Sequence, residues 1–273
     1  MKLSSIDDVR ALARRIRRES VVMTSRVSAS HIGSNLSMVD ILATLYSRVL
    51  RYDAKNPTWP QRDRFILSKG HACVSLYVML AEAGFFPRDW LGTFYQDGGR
   101  LAGHATHKGV PGIEVSTGSL GHGIGLGSGM ALAARRAGEK QRVFVLQSDG
   151  ECDEGSVWEG ALFAAHHRLD NLTVIVDHNK IQSLGRVEDV TTLEPLADKW
   201  TAFGWETREV DGHDVEALDR VLSAVPLTPG KPTCVVAHTV KGKGVSFMED
   251  KLKWHYSSAK GDELTQALDE IGN

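Results

Sequence analysis

The stretch Val143–Ala161, "VFVLQSDGECDEGSVWEGA", decides how the chain is read. A short apolar run ends at Ser148, and Asp149, Glu151, Asp153 and Glu154 follow almost at once, before a helical pattern begins. A continuous apolar run bounded by turn residues is how a strand buried on both faces reads. The order strand then helix recurs downstream. "LTVIVD" precedes a loop and "LEPLADKWTAF", "WETREV" precedes "VEALDRVLSAV", and "PTCVVAHT" closes the series. Such alternation predicts an α/β fold, a parallel sheet with helices on both faces. Upstream, helical spacing covers roughly 6–23, 38–50 and 71–84, and a glycine-rich stretch over 98–129 runs into the helical "GMALAARRAG". Ligands of such sheets bind beyond the carboxyl ends of the strands. "SDGECDE" begins at one such end and "DHNKIQSLG" at the next.

Bulk composition narrows the function classes. With 273 residues, 42% hydrophobic and 24% charged, the chain can bury a sizeable core. Its net charge of −2 carries no long single-sign block, so neither a nucleic-acid groove nor an anionic membrane surface is indicated. Cys73, Cys152 and Cys234 are far apart, which gives no disulfide framework and no thiolate zinc site. The Arg-rich start resembles a transit peptide, but Asp7, Asp8 and Glu19 interrupt it, and Ile6, Val9, Ala13 and Ile16 recur at helical spacing. A docked amphipathic helix and a cytoplasmic location are expected. No linker or repeat divides the chain, so residues 1–273 are expected to form one domain.

Three explanations compete for the acidic stretch. Carboxylates in a first helical turn favour the positive end of the helix dipole, which accounts for Asp153 and Glu154 but not for Asp149. An EF-hand loop needs glycine at its sixth position and glutamate at its twelfth. Counted from Asp149, those places hold Glu154 and Gly160, so that reading fails. The third pairs Asp149 with Asn179 at the next strand end, 30 residues on (179 − 149). One carboxylate and one amide are too little for an all-protein metal cage. They suit a hard divalent ion such as Mg²⁺ that draws its other ligands from a diphosphate and water. Gly150 allows close backbone approach, and a following helix offers free N–H donors.

At this point the residues carry a resemblance. "SDGE" followed by "DHNKI" resembles the thiamine diphosphate fingerprint, and four further segments resemble transketolases in family order. These are "SASHIGSNLSMVDILATLY", "ILSKGHACVSLYVMLAEAG", "LAGHATHKGVPGIEVSTGSLGHGIGLGSGMALA" and "HTVKGKGVSFMEDKLKWHYSSA". The resemblance implies Mg²⁺, or Ca²⁺ or Mn²⁺ in its place, held by the side chains of Asp149 and Asn179 and the carbonyl of Ile181. It implies cofactor contacts at His71, Gly118, Ser119, Leu120, Gly150, Glu151 and Lys241. The "KGKG" around Lys241 reads equally as a flexible turn. His31, His71, His104 and His255 are the implied catalytic set, and Glu154 and Glu159 match an interface network. The other seven histidines, among them His178 and His213, are read as surface or core residues. The chain departs from the family pattern at Ser30, Ser148 and His178, while Asp149, Gly150 and Asn179 are retained.

In the family the activating glutamate, and most residues that read the sugar, lie in a following pyrimidine-binding domain. The resemblance therefore implies the N-terminal subunit of a split transketolase, completed by a C-terminal partner subunit, expectedly as an α2β2 heterotetramer. It would transfer a two-carbon ketol unit from a ketose to an aldose in carbohydrate metabolism, as in the pentose phosphate pathway. The rivals are the same chemistry on a branched, sulfonated or natural-product sugar, a keto-acid-decarboxylating relative, and a non-catalytic binding module.

Overall fold

The computed structural model describes residues 1–272. Five strands, β1 (Arg64–Leu67), β2 (Val143–Ser148), β3 (Leu172–His178), β4 (Glu206–Asp211) and β5 (Thr233–His238), form one sheet in the order β1-β2-β3-β5-β4. Every pairing is parallel. β2 and β3 are buried along their whole length, as continuous apolar runs require, whereas the edge strand β4 keeps exposed positions.

Alternate residues of the strands feed two cores. Phe65, Phe144, Leu146, Ile175 and Val235 point to one face. There they meet α1 (Ile6–Val27), α3 (Val39–Thr44), α4 (Cys73–Ala83) and α9 (Val215–Ser223). Ile66, Val145, Val174, Val176 and Cys234 point to the other. That face is covered by α5 (Gly123–Arg136), α6 (Gly155–His166) and α8 (Leu196–Ala202). A third cluster seats α2 (Ile32–Ser37), α10 (Lys253–Tyr256) and α11 (Asp262–Ile271) beside α1. α7 (Val187–Val190) is one turn in the loop after β3.

α1 begins where the pattern places it. Ser5 caps it by accepting from Asp8 N at 3.0 Å, and Asp7 and Asp8 sit in the first turn. The helix expected over 38–50 is present, continuous from Val39 to Val49, and set apart from α2 at Met38. Met38 leaves helical angles, and the last turn widens so that Leu50 N bonds Leu45 O at 2.8 Å. β1 was not anticipated, because four residues are too few to show a period. α5 starts at Gly123, inside the glycine-rich stretch, because these glycines let the helix lie close on the sheet. A Cβ on Gly127 would stand 2.6 Å from Val145 Cγ2.

No helix among the described residues is long and apolar enough to cross a membrane.

Candidate active site

The carboxyl ends of β1, β2, β3 and β5 open into a cleft of about 250 Å³. Eleven of the thirteen residues singled out above line it: His31, His71, His104, Gly118, Leu120, Asp149, Gly150, Asn179, Ile181, Lys241 and His255. Ser119 and Glu151 do not. The Glu151 carboxylate turns inward, where it accepts from Ser68 Oγ and from the backbone N–H groups of Gly121 (2.8 Å) and Ser148 (3.3 Å). It braces the 118–123 loop against the strand ends from behind.

Sheet register explains the thirty-residue spacing. Ser148 pairs with Asp177, and Asp149 N bonds Asp177 O at 3.3 Å, so Asp149 and Asn179 leave neighbouring strand ends together. The Asp149 carboxylate is buried and accepts from Gly150 N at 2.7 Å and from Lys180 N at 2.5 Å. Burial, with Asp177 nearby, pushes its pKa up to about 6. Asn179 donates through Nδ2 to Asp177 Oδ2 at 2.9 Å. A carboxylate only accepts, so this bond fixes the amide and leaves Oδ1 on the opposite side, over Ile181 N at 3.3 Å.

Behind Asn179 lies an unanticipated ion pair. Lys69 Nζ and Asp177 Oδ2 are 2.5 Å apart, and neither side chain has any solvent exposure. Burial alone would raise Asp177, but Lys69, Ser37 and Thr239 hold its carboxyl below the usual range. Lys69 also donates to Ser34 O at 2.8 Å and Ser34 Oγ at 3.2 Å. Because ammonium has no acceptor, the Ser34 hydroxyl is left to donate to His71 Nε2, 3.1 Å away.

The four histidines converge from four segments. His31 stands 5.0 Å from both His71 and His255 between ring centroids, and 6.2 Å from His104. It sits just before α2 in left-handed backbone (φ +72), with its N–H bonded to His255 O at 2.8 Å. Burial, then the neighbouring His104 and Lys241, lowers His31 to about 4. Burial and Lys241 lower His255 to about 3, and burial keeps His71 well below its ordinary value. These three rings are neutral near pH 7 and can accept a proton.

Lys241 is neither a surface turn nor a lid. It is fully buried, with Nζ bonded to Ile181 O at 2.6 Å and His255 Nδ1 at 2.8 Å, and burial lowers it to about 8. The Ile181 carbonyl thus already accepts one hydrogen bond and keeps its second lone pair for a further partner. Two residues outside the expected set support the rim. His213 bridges Asp40 (2.8 Å) and Val240 N (2.9 Å), and Gln182 bonds Asp153 at 2.7 Å. His178 points out of the cleft toward Glu194, 3.3 Å away.

The donor set fits a hard cation that brings further ligands with it. Asp149 is buried with backbone N–H partners only, leaving its charge without a salt-bridge partner among the described residues. Asn179 Oδ1 adds a neutral oxygen. No group of three or more His, Cys, Asp or Glu side chains among the described residues could hold a metal unaided. Gly118 and Gly150, where a Cβ would stand 2.9 Å from His104 and from Gln182, line the same floor as the basic Lys241 and suit phosphate oxygens.

Comparison with known proteins places this geometry. The family described as "Transketolase, thiamine diphosphate binding domain" matches residues 8–273. The chain is 44% identical over 268 residues to an apulose-4-phosphate transketolase subunit of Actinobacillus succinogenes, covering 98% of this chain and 97% of that protein. It is 40% identical over 264 residues to the 6-deoxy-6-sulfo-D-fructose transketolase subunit SqwG of a Clostridium species, covering 97% and 96%. The solved transketolase from Leishmania mexicana superposes with a TM-score of 0.91 at 32% identity. That likeness covers all of this chain and 42% of the other.

Proposed function

The chain belongs to the transketolase family, as one that carries the thiamine diphosphate-binding domain, and from that premise we propose that it is the N-terminal subunit of a split transketolase. On this reading residues 1–273 form one diphosphate-binding domain. A separately encoded C-terminal subunit brings the pyrimidine-binding half and the activating glutamate, in an α2β2 assembly with the cofactor at the interface. Glu154 and Glu159 are exposed on and before α6, where an interface network would need them.

Bound thiamine diphosphate supplies the electron sink that allows a ketose C2–C3 bond to break and a ketol unit to pass to an aldehyde. The chain's own residues bind and orient it. Asp149 and Asn179 would hold Mg²⁺, with Ile181 O as a further ligand, and Lys241 would offer its ammonium to phosphate. Gly118, Leu120 and Gly150 give the backbone close approach, and Glu151 fixes the loop, carrying Ser119, that presents it. Neutral His31, His71 and His255 accept and return protons at the sugar hydroxyls, with His104 facing the same hydroxyls beside them. The observation that carries this reading is the single cleft in which the unpaired Asp149 carboxylate, the fixed Asn179 amide and four imidazoles meet.

A second reading concerns the sugar alone. Two full-length relatives are named for apulose-4-phosphate and 6-deoxy-6-sulfo-D-fructose. Their names favour a specialised ketose over the pentose phosphates. The test is co-expression with the neighbouring gene's product, followed by ketol-transfer assays with thiamine diphosphate and Mg²⁺ across both sugar classes. An assembled, cofactor-loaded complex that transfers no ketol unit from any ketose would refute the proposal.

A further inference from the structure

A second cavity, of about 130 Å³, opens on the far side of the imidazole cluster. It shares His31, His71 and His104 with the first cleft, so anything in it touches the rings that face the chemistry. Its other walls come from the Ser28–Ser30 turn, Phe94, Tyr95 and Gly103. No Lys, Arg, Asp or Glu lines it. A charged ligand group would find no ionic partner here, whereas hydroxyls find serine and imidazole donors and acceptors.

The backbone around it is unusual. Among the described residues six non-glycine positions have positive φ, and three of them, Ser28 (+54), His31 (+72) and Tyr95 (+55), line this one cavity. Left-handed backbone is unfavourable for side-chain-bearing residues, and most of all for bulky ones. It concentrates where a ligand site fixes geometry. Tyr95 is the bulkiest of the three. Its N–H is bonded to Leu101 O at 2.9 Å. Its ring lies over Gly103, where a Cβ would stand 2.5 Å from Tyr95 Cδ2. Tyr95 as a whole is nevertheless 62% exposed, beside a Phe94 that is buried. The turn thus displays an aromatic face at the cavity mouth instead of packing it. An aromatic face with a polar tip suits the C–H face of a sugar.

We propose that this cavity is the subsite for the uncharged, hydroxyl-bearing carbon skeleton of the sugar, and that Tyr95 determines which skeletons enter. The proposal rests on the ketol-transfer reading above and leaves the sugar's anionic end to be read elsewhere. The test uses the assembled two-chain enzyme with wild-type chain, Tyr95→Asn and Tyr95→Phe. Asparagine tolerates left-handed backbone, so it removes the ring while keeping the turn. KM and kcat are measured for branched and unbranched donors and acceptors, with thiamine diphosphate affinity by calorimetry. Tyr95→Asn is expected to raise a sugar KM by at least about tenfold and change the branched-to-unbranched preference, with Tyr95→Phe intermediate. Cofactor affinity should stay constant across the three. A KM change confined to donors assigns the cavity to the donor chain, and one confined to acceptors to the acceptor. An active wild-type enzyme with unaltered KM and preference in Tyr95→Asn overturns the subsite alone, as does a parallel loss of cofactor affinity. A loaded wild-type complex that transfers nothing brings down the functional reading and the subsite with it.

Discussion

Removing Lys69 should cost far more than a strand-end lysine normally does. Its Nζ lies 2.5 Å from Asp177 Oδ2, and both side chains are without solvent exposure. In Lys69→Met the Asp177 carboxylate keeps hydroxyl partners in Ser37 and Thr239 and the Asn179 amide, but no cation. Stranding a buried charge typically costs ~3–5 kcal/mol. Against a usual total of ~5–15 kcal/mol, that is a large share. With a urea m-value of ~2–3 kcal/mol/M the midpoint should fall by about 1–2 M. The double variant Lys69→Met/Asp177→Asn removes both charges and should cost less than the sum of the single variants by at least ~2 kcal/mol. Urea titrations of the four proteins measure this. A loss below ~1 kcal/mol in Lys69→Met, or additive costs in the double variant, would refute the argument that this pair organises the strand ends.

Three further outcomes are expected. Gly70→Ala places a Cβ 2.6 Å from the backbone C and O of Thr117, which cannot yield as a side chain can. It should cost ~1–3 kcal/mol in denaturation and weaken cofactor binding through the adjacent His71. Because His31 titrates at about 4 in the fold and near 6.5 when unfolded, the unfolded chain takes up its proton first as pH falls. Stability from this group is full above 6.5 and lost toward 4, by at most ~1.4 kcal/mol per pH unit and less at its solvent-screened edge. Asp149, raised to about 6, acts with the opposite sign, so the His31→Asn difference between pH 7 and pH 5 isolates the imidazole. Cys73, Cys152 and Cys234 are all buried, and burial pushes Cys73 to about 12. Native protein should not react with a thiol reagent until it is unfolded.

Much of the fold was readable because β2, β3 and β5 are buried on both faces, which writes itself as apolar runs separated by helices. β1 escaped because four residues carry no period, and the apolar spacing over 38–50 gives the helix but not the widening of its last turn. The site was legible where spacing carries it: Asp149 and Asn179 leave strands that are neighbours in register. Lys69 and Asp177 were not, since a charge at a strand end reads as solvent-facing until another strand end supplies its partner. Glu151 shows the converse limit. The family resemblance implied cofactor contact there, and its side chain turns back to Gly121 and Ser68, a direction that sequence does not encode. Lys241 read equally as a cofactor contact and as a flexible turn, and its burial was not legible because its contacts, Ile181 and His255, are 60 and 14 positions away.

The central claim is that Asp149 and Asn179 together hold a cation that anchors a diphosphate. Calorimetric titration of thiamine diphosphate into the assembled complex, with and without Mg²⁺, addresses it most directly. Wild-type binding should require the divalent ion. Asp149→Ala should lose affinity by more than the ~10–100-fold typical when only a residue behind a ligand is removed, with its circular dichroism unchanged. Undiminished binding by Asp149→Ala, or wild-type binding indifferent to Mg²⁺, would contradict the account.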